Sequence, residues 1–158
     1  MSDELTDRLE AQRAFVRVLR RSSRLAQATL ENVLSKFGLN YGQWLALRIV
    51  VEAGEMSVGD LSRESEMTSG AMTRLVDGLE ERGLVRRYRS DTDRRQVYVL
   101  STRSAVEAVQ TIIPVVTSAW SDLMAELPTS EIAELTEHLS KLVAALERRE
   151  TTRSGILN

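Results

Sequence analysis

Apolar residues recur at three- and four-residue steps along the first part of the chain, which is the spacing of one helix face. The positions that follow this spacing are Leu5, Leu9, Val16, Leu19, Ala26, Leu30, Val33 and Phe37. Gly38 then supplies a helix stop. A helix of about 30 residues extends for roughly 45 Å, which is longer than one small domain covers. The pattern therefore predicts a long helix over 5–37 whose apolar face needs another surface.

A second long helical pattern occupies the last third of the chain. Its first apolar face consists of Val106, Val109, Ile113, Val116, Trp120, Leu123 and Leu127. After Pro128 the pattern continues with Ile132, Leu135, Leu139, Leu142 and Leu146. We predict that helices over 5–37 and 103–149 pack on a second copy of the chain, although three helices of one subunit packing on each other would also cover these faces. The polar residues 151–158 predict a loose C-terminal tail.

Between these long helices, the pattern predicts two short helices joined by a tight polar turn. An apolar stretch over Tyr41–Ala53 predicts one more helix before them. Ser57 and Asp60 have the Ser/Thr-x-x-Asp/Glu spacing of a capping box, which predicts the start of the first short helix. Thr68 caps the second short helix, which stops at Gly83. This arrangement is typical of a helix-turn-helix.

The second short helix leaves small and hydrogen-bonding residues on its outer, N-terminal face. These residues are Thr68, Ser69, Gly70, Ala71, Thr73 and Arg74. Small side chains allow close approach, the positive end of the helix favours phosphate, and such N-terminal residues enter the major groove first. We therefore predict that they contact DNA. The alternative is an amphipathic helix whose polar face is simply solvated.

A hairpin with a concentrated positive charge follows, with strands predicted over 84–89 and 96–100. From Arg82 to Arg95 the chain carries six arginines and two aspartates, a local charge of +4 in a protein whose net charge is -2. A charged hairpin beside a helix-turn-helix is a wing that can reach phosphates or a minor groove. Asp93 lies two residues before Arg95 and can orient its guanidinium. The predicted wing contacts to DNA are Arg87, Arg89, Asp93, Arg94 and Arg95.

Composition limits the other function classes. The 158 residues suit one domain, predicted over 1–150, with no cysteine and a single histidine, His138. This composition offers no thiol chemistry, no multi-histidine metal site and no plausible catalytic set, so we predict no enzyme, no cofactor and no metal. A charged N-terminus and the lack of a long apolar run predict a cytoplasmic protein without a membrane segment.

Two stretches, "DLSRESEMTSGAMTRLVDGLEERGLVRR" and "DTDRRQVYV", resemble the MarR family of bacterial transcription regulators. The similarity includes the family's Arg-Leu-Val-Asp-x-Leu-Glu-x-x-Gly-Leu-Val core and its Asp-Arg-Arg wing, at matching spacing over about 56–99. It implies a mainly α fold with a small β wing: a winged helix-turn-helix lobe over about 41–101 between N- and C-terminal dimerisation helices. It also implies a homodimeric DNA-binding regulator, expected to act as a repressor, that binds an inverted-repeat operator.

The resemblance also implies roles for particular residues. Ser69, Gly70, Ala71, Thr73 and Arg74 match positions that contact bases and phosphates, Arg95 matches an arginine inserted in the minor groove, and Asp93 matches its orienting carboxylate. This chain departs from the family where Ser101–Ala105 replace the usual Thr-x-x-Gly after the second strand. It departs again where Asp91 replaces a proline before the wing acid. The lack of cysteine excludes the peroxide-sensing branch, and the single histidine argues against the metal-sensing branch.

Family members are often released from DNA by small aromatic or anionic ligands, and the resemblance implies a pocket between the dimerisation helices and the DNA-binding lobe. The candidate lining residues are Arg17, Tyr41, Trp44, Arg48 and Trp120. Aromatic residues on an apolar helix face are also ordinary core residues, so this alternative stays open. An alternative function is a winged-helix module that binds an acidic protein partner and no DNA.

Overall fold

Helices make up most of the chain, and a small antiparallel sheet lies among them. The computed structural model describes residues 2–90, 93 and 95–155, with side chains from residue 4 to residue 149 of these ranges. In chain order the elements are α1 (Ser2–Ser35), α2 (Tyr41–Ala53), β1 (Glu55–Ser57), α3 (Val58–Glu64), α4 (Ser69–Glu81), β2 (Val85–Arg89), β3 (Val97–Ser101), α5 (Arg103–Leu123) and α6 (Thr129–Gly155). The predicted fold class, mainly α with a small β wing, is confirmed.

The chain divides into two compact units, one up to Ala119 and one from Trp120 onward. The boundary lies within α5, inside the predicted C-terminal dimerisation region. Within the described ranges, no helix combines the length and the apolar character needed to cross a membrane.

Local capping signals determine where the helices of the first unit begin and end. Asn40 starts α2 with a capping box: its side chain accepts from the Gln43 N–H at 2.8 Å, and the Gln43 side chain accepts from the Asn40 N–H at 3.1 Å. The bounds of α2 are those predicted. Gly83 has a φ of +68°, which lets the chain leave α4 and enter β2 within a few residues.

The core of the first unit lies around α2. Ala46, Leu47 and Val50 of this helix are fully buried. They belong to one cluster with Met72, Val76 and Leu79 of α4, Leu61 of α3, Val85 and Val99 of the sheet, Ile112 of α5, and Leu30 and Leu34 of α1. The cluster holds α3 and α4 as the predicted helix-turn-helix pair.

The sheet has the strand order β1-β3-β2, and both pairs are antiparallel. The predicted hairpin corresponds to β2 and β3, each starting one residue later than expected. The short strand β1 was not predicted, because three half-exposed residues carry no alternation and their partner strand lies about forty positions later. On the outer face, the rings of Tyr88 and Tyr98 stack across the hairpin with centroids 5.5 Å apart.

Thr102 starts α5 where the chain departs from the family pattern. Its side chain accepts from the Ala105 N–H at 3.2 Å, as an N-cap does. The same hydroxyl lies 2.9 Å from the Gly83 carbonyl oxygen and 3.0 Å from that of Leu84, so it also ties α5 to the turn after α4. The start of α5 is therefore well defined, although the chain lacks the glycine that the family has in this stretch.

Large apolar side chains of α1 are exposed in the part of the helix that precedes Ala26. They include Leu5 at 61%, Leu9 at 45%, Val16 at 51% and Leu25 at 48% exposure.

The second unit, considered by itself, has no buried residue among its described side chains, and Leu135 and Leu146 of α6 are each 52% exposed. Helix α6 runs from Thr129 to Gly155 with no proline or glycine between these two residues. Residues 151–155 are therefore helical where a loose tail was predicted over 151–158, and residues 156–158 lie outside the described ranges.

Candidate nucleic-acid interface

The turn between α3 and α4 is short and held by hydrogen bonds. Ser57 caps α3 by accepting from the Asp60 N–H at 3.0 Å. The Ser65 hydroxyl donates to the Leu61 carbonyl at 2.6 Å, and Glu66 adopts a φ of +55°, which turns the chain. The Met67 N–H then donates to the Ser62 carbonyl at 2.9 Å. These contacts set the direction in which α4 leaves the turn.

Helix α4 buries one side and exposes the side that sequence reasoning assigned to DNA. Thr68 caps it by accepting from the Ala71 N–H at 3.3 Å. All six predicted contact residues are exposed: Thr68, Ser69, Gly70, Ala71, Thr73 and Arg74. A side chain at Gly70 would meet no atom of the chain within 4 Å, so no internal packing requires glycine there. Arg74 makes no hydrogen bond or ion pair with any described residue, and its guanidinium is available to a partner.

The tip of the wing holds Arg95 almost fully in solvent. Its side chain is 94% exposed, and its Nε lies 3.4 Å from Asp93 Oδ1. The same carboxylate oxygen accepts from the Arg95 N–H at 3.0 Å, so it touches both the backbone and the side chain of the arginine. The predicted contact between Asp93 and Arg95 is therefore present, and the orienting role of Asp93 stays a prediction. Arg94, the other predicted tip arginine, lies outside the described residues.

A groove between α3, α4 and the wing brings these features together. Thr73 of α4 and Arg95 of the wing both line it, together with Arg63 of α3. Arg63 was missed by sequence reasoning. Its side chain is 80% exposed and pairs with Asp60, one turn earlier in the same helix. The one sequence signal for this role is that Arg63 lies at the end of α3, next to the loop that leads into α4.

Arg87, predicted as a wing contact to DNA, lines the same groove, and its guanidinium is paired with two carboxylates of α4. Its Nη1 lies 2.5 Å from Asp77 Oδ1, and its Nη2 lies 2.6 Å from Glu80 Oε2. Its backbone N–H also donates to Glu80 at 2.8 Å. These contacts join β2 to α4. We therefore assign Arg87 to positioning the wing against the predicted recognition helix.

The contact with Arg87 changes the ionisation of Glu80. The backbone N–H of Arg87, and next its guanidinium, hold the pKa of Glu80 below its ordinary value. The hydrogen bond to Glu80 likewise raises the pKa of Arg87 above its ordinary value. Both shifts favour the charged forms, so the pair is intact at neutral pH.

We expect Glu80→Gln to destabilise the protein at neutral pH but not in acid. Because folding lowers the pKa of Glu80, its charge contributes stability above the ordinary glutamate pKa of about 4.3, and the contribution is lost as the pH falls through the lower folded-state pKa. Urea unfolding at about pH 7, and in acid at a pH where Glu80 is protonated in the folded and in the unfolded chain, measures the free energy of unfolding under the two conditions. Glu81→Gln is the control, since Glu81 is exposed and has no ion pair in the described ranges. A gap between wild type and Glu80→Gln that persists in acid would contradict this assignment.

Arg82, one of the six arginines counted between Arg82 and Arg95, also forms hydrogen bonds with another part of the protein. Its guanidinium donates to the carbonyl oxygens of Gly38 and of Phe37, the latter at 2.7 Å. These carbonyls follow the end of α1, and Gly38 adopts a φ of +67° there. Arg82 therefore ties the end of α4 to the end of α1.

Replacing Arg82 with Met should remove both hydrogen bonds while keeping most of the aliphatic stem. We expect a loss of about 1 kcal/mol in the free energy of unfolding, because the donors are charged but the side chain is exposed. A chain of this size should then unfold about 2–4 °C lower, which differential scanning calorimetry measures. Arg86→Met is the control, since Arg86 is exposed and forms no hydrogen bond among the described residues. Equal unfolding temperatures for the two variants would show that the tie contributes nothing.

Of the remaining wing arginines, Arg86 and Arg89 are exposed and make no hydrogen bond or ion pair within the described ranges. The positive charge of the hairpin thus separates into two groups. Arg82 and Arg87 face the protein, whereas Arg86, Arg89 and Arg95 face solvent. Among the described arginines of the hairpin, those of the second group have guanidinium groups that no other element of the lobe holds.

The residues predicted to line a ligand pocket lie in different surroundings. Trp44 is 5% exposed within the core of the first unit, and Tyr41 is half-buried against that core, as the alternative interpretation expected. Arg48 pairs with Glu52 on the surface at 3.3 Å. Arg17 lies on the exposed face of α1. Trp120, in the second unit, is 38% exposed.

Comparison with known proteins identifies relatives of the chain. A model described as the MarR family matches residues 39–97. The HTH-type transcriptional regulator MgrA of Staphylococcus aureus is 30% identical over 118 residues, which cover 73% of this chain and 77% of MgrA. An uncharacterized HTH-type transcriptional regulator, YcgE of Bacillus subtilis, is 27% identical over 99 residues; the match spans 63% of this chain and 64% of YcgE, just under two thirds of its length.

Among solved structures, a mutant MarR from E. coli complexed with operator DNA superimposes with a TM-score of 0.77. The match covers 82% of this chain and 93% of that chain at 23% identity. The fold is therefore shared. The matched relatives are transcriptional regulators and not enzymes, as was predicted for this chain.

Proposed function

This chain belongs to the MarR family of transcriptional regulators, and we propose that it represses its target genes by binding an inverted-repeat operator in double-stranded DNA as a homodimer. A small aromatic or anionic effector releases it from the operator. The chain thus acts by changing its occupancy of DNA and performs no chemical reaction.

One observation carries the DNA-binding part of this proposal. The exposed N-terminal face of α4 and the solvent-exposed Arg95 border the same groove, which Thr73 and Arg95 both line. Small residues at a helix N-terminus suit the major groove, where hydroxyl groups and Arg74 can read base edges. A fully exposed wing arginine suits the adjacent minor groove, whose negative potential attracts guanidinium. Phosphate contacts by Arg86 and Arg89 would add affinity without sequence preference.

The dimeric part is supported by the apolar surface that the chain leaves open. Leu5, Leu9 and Val16 of α1 are about half-exposed, as are Leu135 and Leu146 of α6. Each of these helices, considered by itself, exposes several large apolar side chains, and exposed apolar surface of this kind marks interaction sites. Two copies related by a two-fold axis present two α4 helices, which explains why the operator should be an inverted repeat.

The effector part of the proposal is supported by the positive charge of α1. Arg17 lies in an open groove on α1, where an anionic ligand would meet positive charge. Trp44 supports the hydrophobic core rather than a ligand wall, so an aromatic effector would have to contact Tyr41 or Trp120 instead. Titration of the DNA complex with salicylate-like aromatic acids, read by fluorescence anisotropy, tests for release.

Sequencing of genomic fragments that co-purify with the protein tests the main proposal. We expect an inverted-repeat motif, and a labelled duplex carrying it should bind with an affinity that falls steeply with salt, because several phosphate contacts release counterions. No retardation of any fragment at low salt would reject DNA binding and favour a module that binds an acidic protein partner. Deleting the gene should raise transcription next to the bound sites; a fall would identify an activator instead.

A further inference from the structure

The two long helical regions carry opposite and unmixed charges. Residues 11–30 contain five arginines and neither aspartate nor glutamate. Residues 104–140 contain six acidic residues and neither lysine nor arginine. A solvated helix surface usually mixes both signs, because neighbouring opposite charges support the helix. Segregation of this kind indicates that each region faces a partner of the other sign.

The basic region forms an ordered row on α1. We call this the arginine row and define it as Arg13, Arg17, Arg20 and Arg24. These residues follow each other at steps of four, three and four, which places them on one side of the helix. They are exposed, and none makes a hydrogen bond or ion pair with any residue that the structure describes. Like charges three or four residues apart repel each other, so the row destabilises α1 when no partner of opposite charge is bound to it.

The arginine row borders a shallow, open groove that is formed by residues of α1 alone and includes apolar side chains. The groove is lined by all four members of the row, with Leu9, Val16, Gln12 and Arg21. Leu9 and Val16 are about half-exposed there. Phosphate groups or a small inorganic anion would satisfy the guanidinium groups but leave the leucine and valine in water. The groove therefore fits an amphipathic helix that carries carboxylates beside apolar side chains.

Helix α6 has this combination. Glu131 and Glu134, which we call the acidic pair, are exposed and make no ion pair within the described part of the chain. Leu135 and Leu139 lie next to them on the helix, and they are 52% and 38% exposed. By contrast, Glu137 already pairs with Lys141 at 2.5 Å. The acidic pair thus lies beside an uncovered apolar face, as the arginine row does.

We propose that the arginine row of each copy binds the acidic pair of the other copy, so that the dimer is held by ion pairs as well as by apolar contact. This inference rests on the proposed homodimer. A two-fold axis repeats the contact, so each dimer contains it twice. Partly exposed ion pairs are weakened by salt. Dimerisation should therefore weaken as ionic strength rises, unlike an interface held by apolar contact alone.

Charge reversal in two separate chains tests the pairing and its direction. The first variant carries Arg17→Glu and Arg20→Glu, and the second carries Glu131→Arg and Glu134→Arg. Each variant alone should dimerise at least about tenfold more weakly than wild type, because like charges then meet in both contacts. An equimolar mixture of the two should recover the dimer, since every contact again joins opposite charges. Sedimentation equilibrium measures the dissociation constants.

A control with the same charge change isolates the arginine row. Arg86→Glu with Arg89→Glu reverses two exposed basic residues of the wing, outside both dimerisation ranges, and without DNA it should leave the dimer within about twofold of wild type. Far-ultraviolet circular dichroism confirms that each variant keeps its helices. If a variant unfolds, the test uses the wild-type dimer alone. We expect its dissociation constant to rise as NaCl increases from about 50 mM to about 500 mM.

The outcomes separate this inference from the proposed function. If the mixture stays dissociated while one chain with all four substitutions dimerises, the charges pair within a chain and the inference is wrong. A dimer that is indifferent to the substitutions and to salt also overturns it, while the proposed homodimer stands. A wild-type chain that is monomeric at every salt concentration overturns both.

Discussion

Replacing Arg95 with Ala should weaken binding to the operator about 10- to 100-fold while leaving the protein folded. The side chain is 94% exposed, and its only described partner is the carboxylate of Asp93, 3.4 Å away. Its removal therefore costs little within the protein. On the proposed function it inserts in the minor groove, where loss of one positioned guanidinium costs about 1–3 kcal/mol of binding free energy. Fluorescence anisotropy with a labelled operator at fixed salt measures the change.

Arg103→Ala is a closely matched control for this prediction. Arg103 is 93% exposed and its Nε lies 3.0 Å from a Glu107 carboxylate oxygen, but it stands at the start of α5 and not in the wing. We expect its operator affinity to stay within about twofold of wild type. Unfolding temperatures should agree among the wild type and both variants. Should Arg95→Ala bind the operator as tightly as wild type, the wing would not be a DNA contact.

The variant Asp93→Asn tests the orientation of the Arg95 guanidinium separately from its contact with DNA. The amide can still accept from the Arg95 N–H, but it no longer carries the charge that attracts the guanidinium. We expect a smaller loss of affinity than for Arg95→Ala. The slope of affinity against salt should fall by about one for Arg95→Ala if the guanidinium neutralises a phosphate, and it should stay unchanged for Asp93→Asn.

The elements of the fold could be predicted because their signals are local. Thr68 and Gly83 mark the ends of α4 in the sequence, and the apolar stretch over Tyr41–Ala53 has the bounds of α2. The family resemblance, confirmed by the comparisons, came from the same region. Strand β1 was missed because its stability comes from pairing with β3, far along the chain.

The roles of individual arginines could not be predicted in the same way. Counting charges between Arg82 and Arg95 identified a basic hairpin, but Arg82 and Arg87 direct their charges to groups of the protein itself. Which arginine turns inward depends on how β2 is positioned against α4 and on where α1 ends. These are tertiary relations that no local spacing encodes. The surroundings of Trp44 could not be predicted for the same reason. The sequence does not show whether an aromatic residue on an apolar helix face lies in a pocket or in the core.

Leu79→Ala should have the largest effect on stability of the changes considered, with a loss of about 2–5 kcal/mol in the free energy of unfolding. Leu79 is fully buried in the cluster that holds α4 to α2. Truncation removes apolar contact and leaves a cavity that a close-packed core fills only in part. Urea unfolding at one protein concentration measures the change, because association with a second copy adds to apparent stability.

Leu100→Ala provides the comparison, because Leu100 lies in β3 but is 39% exposed. We expect it to cost less than about 1 kcal/mol. Under conditions where Leu79→Ala is fully folded, its operator affinity should fall less than that of Arg95→Ala, since every group proposed to face DNA is retained. Equal losses of stability in the two leucine variants would mean that α4 is not anchored through Leu79, and the groove it forms with the wing would then lack the rigid support that sequence-specific binding requires.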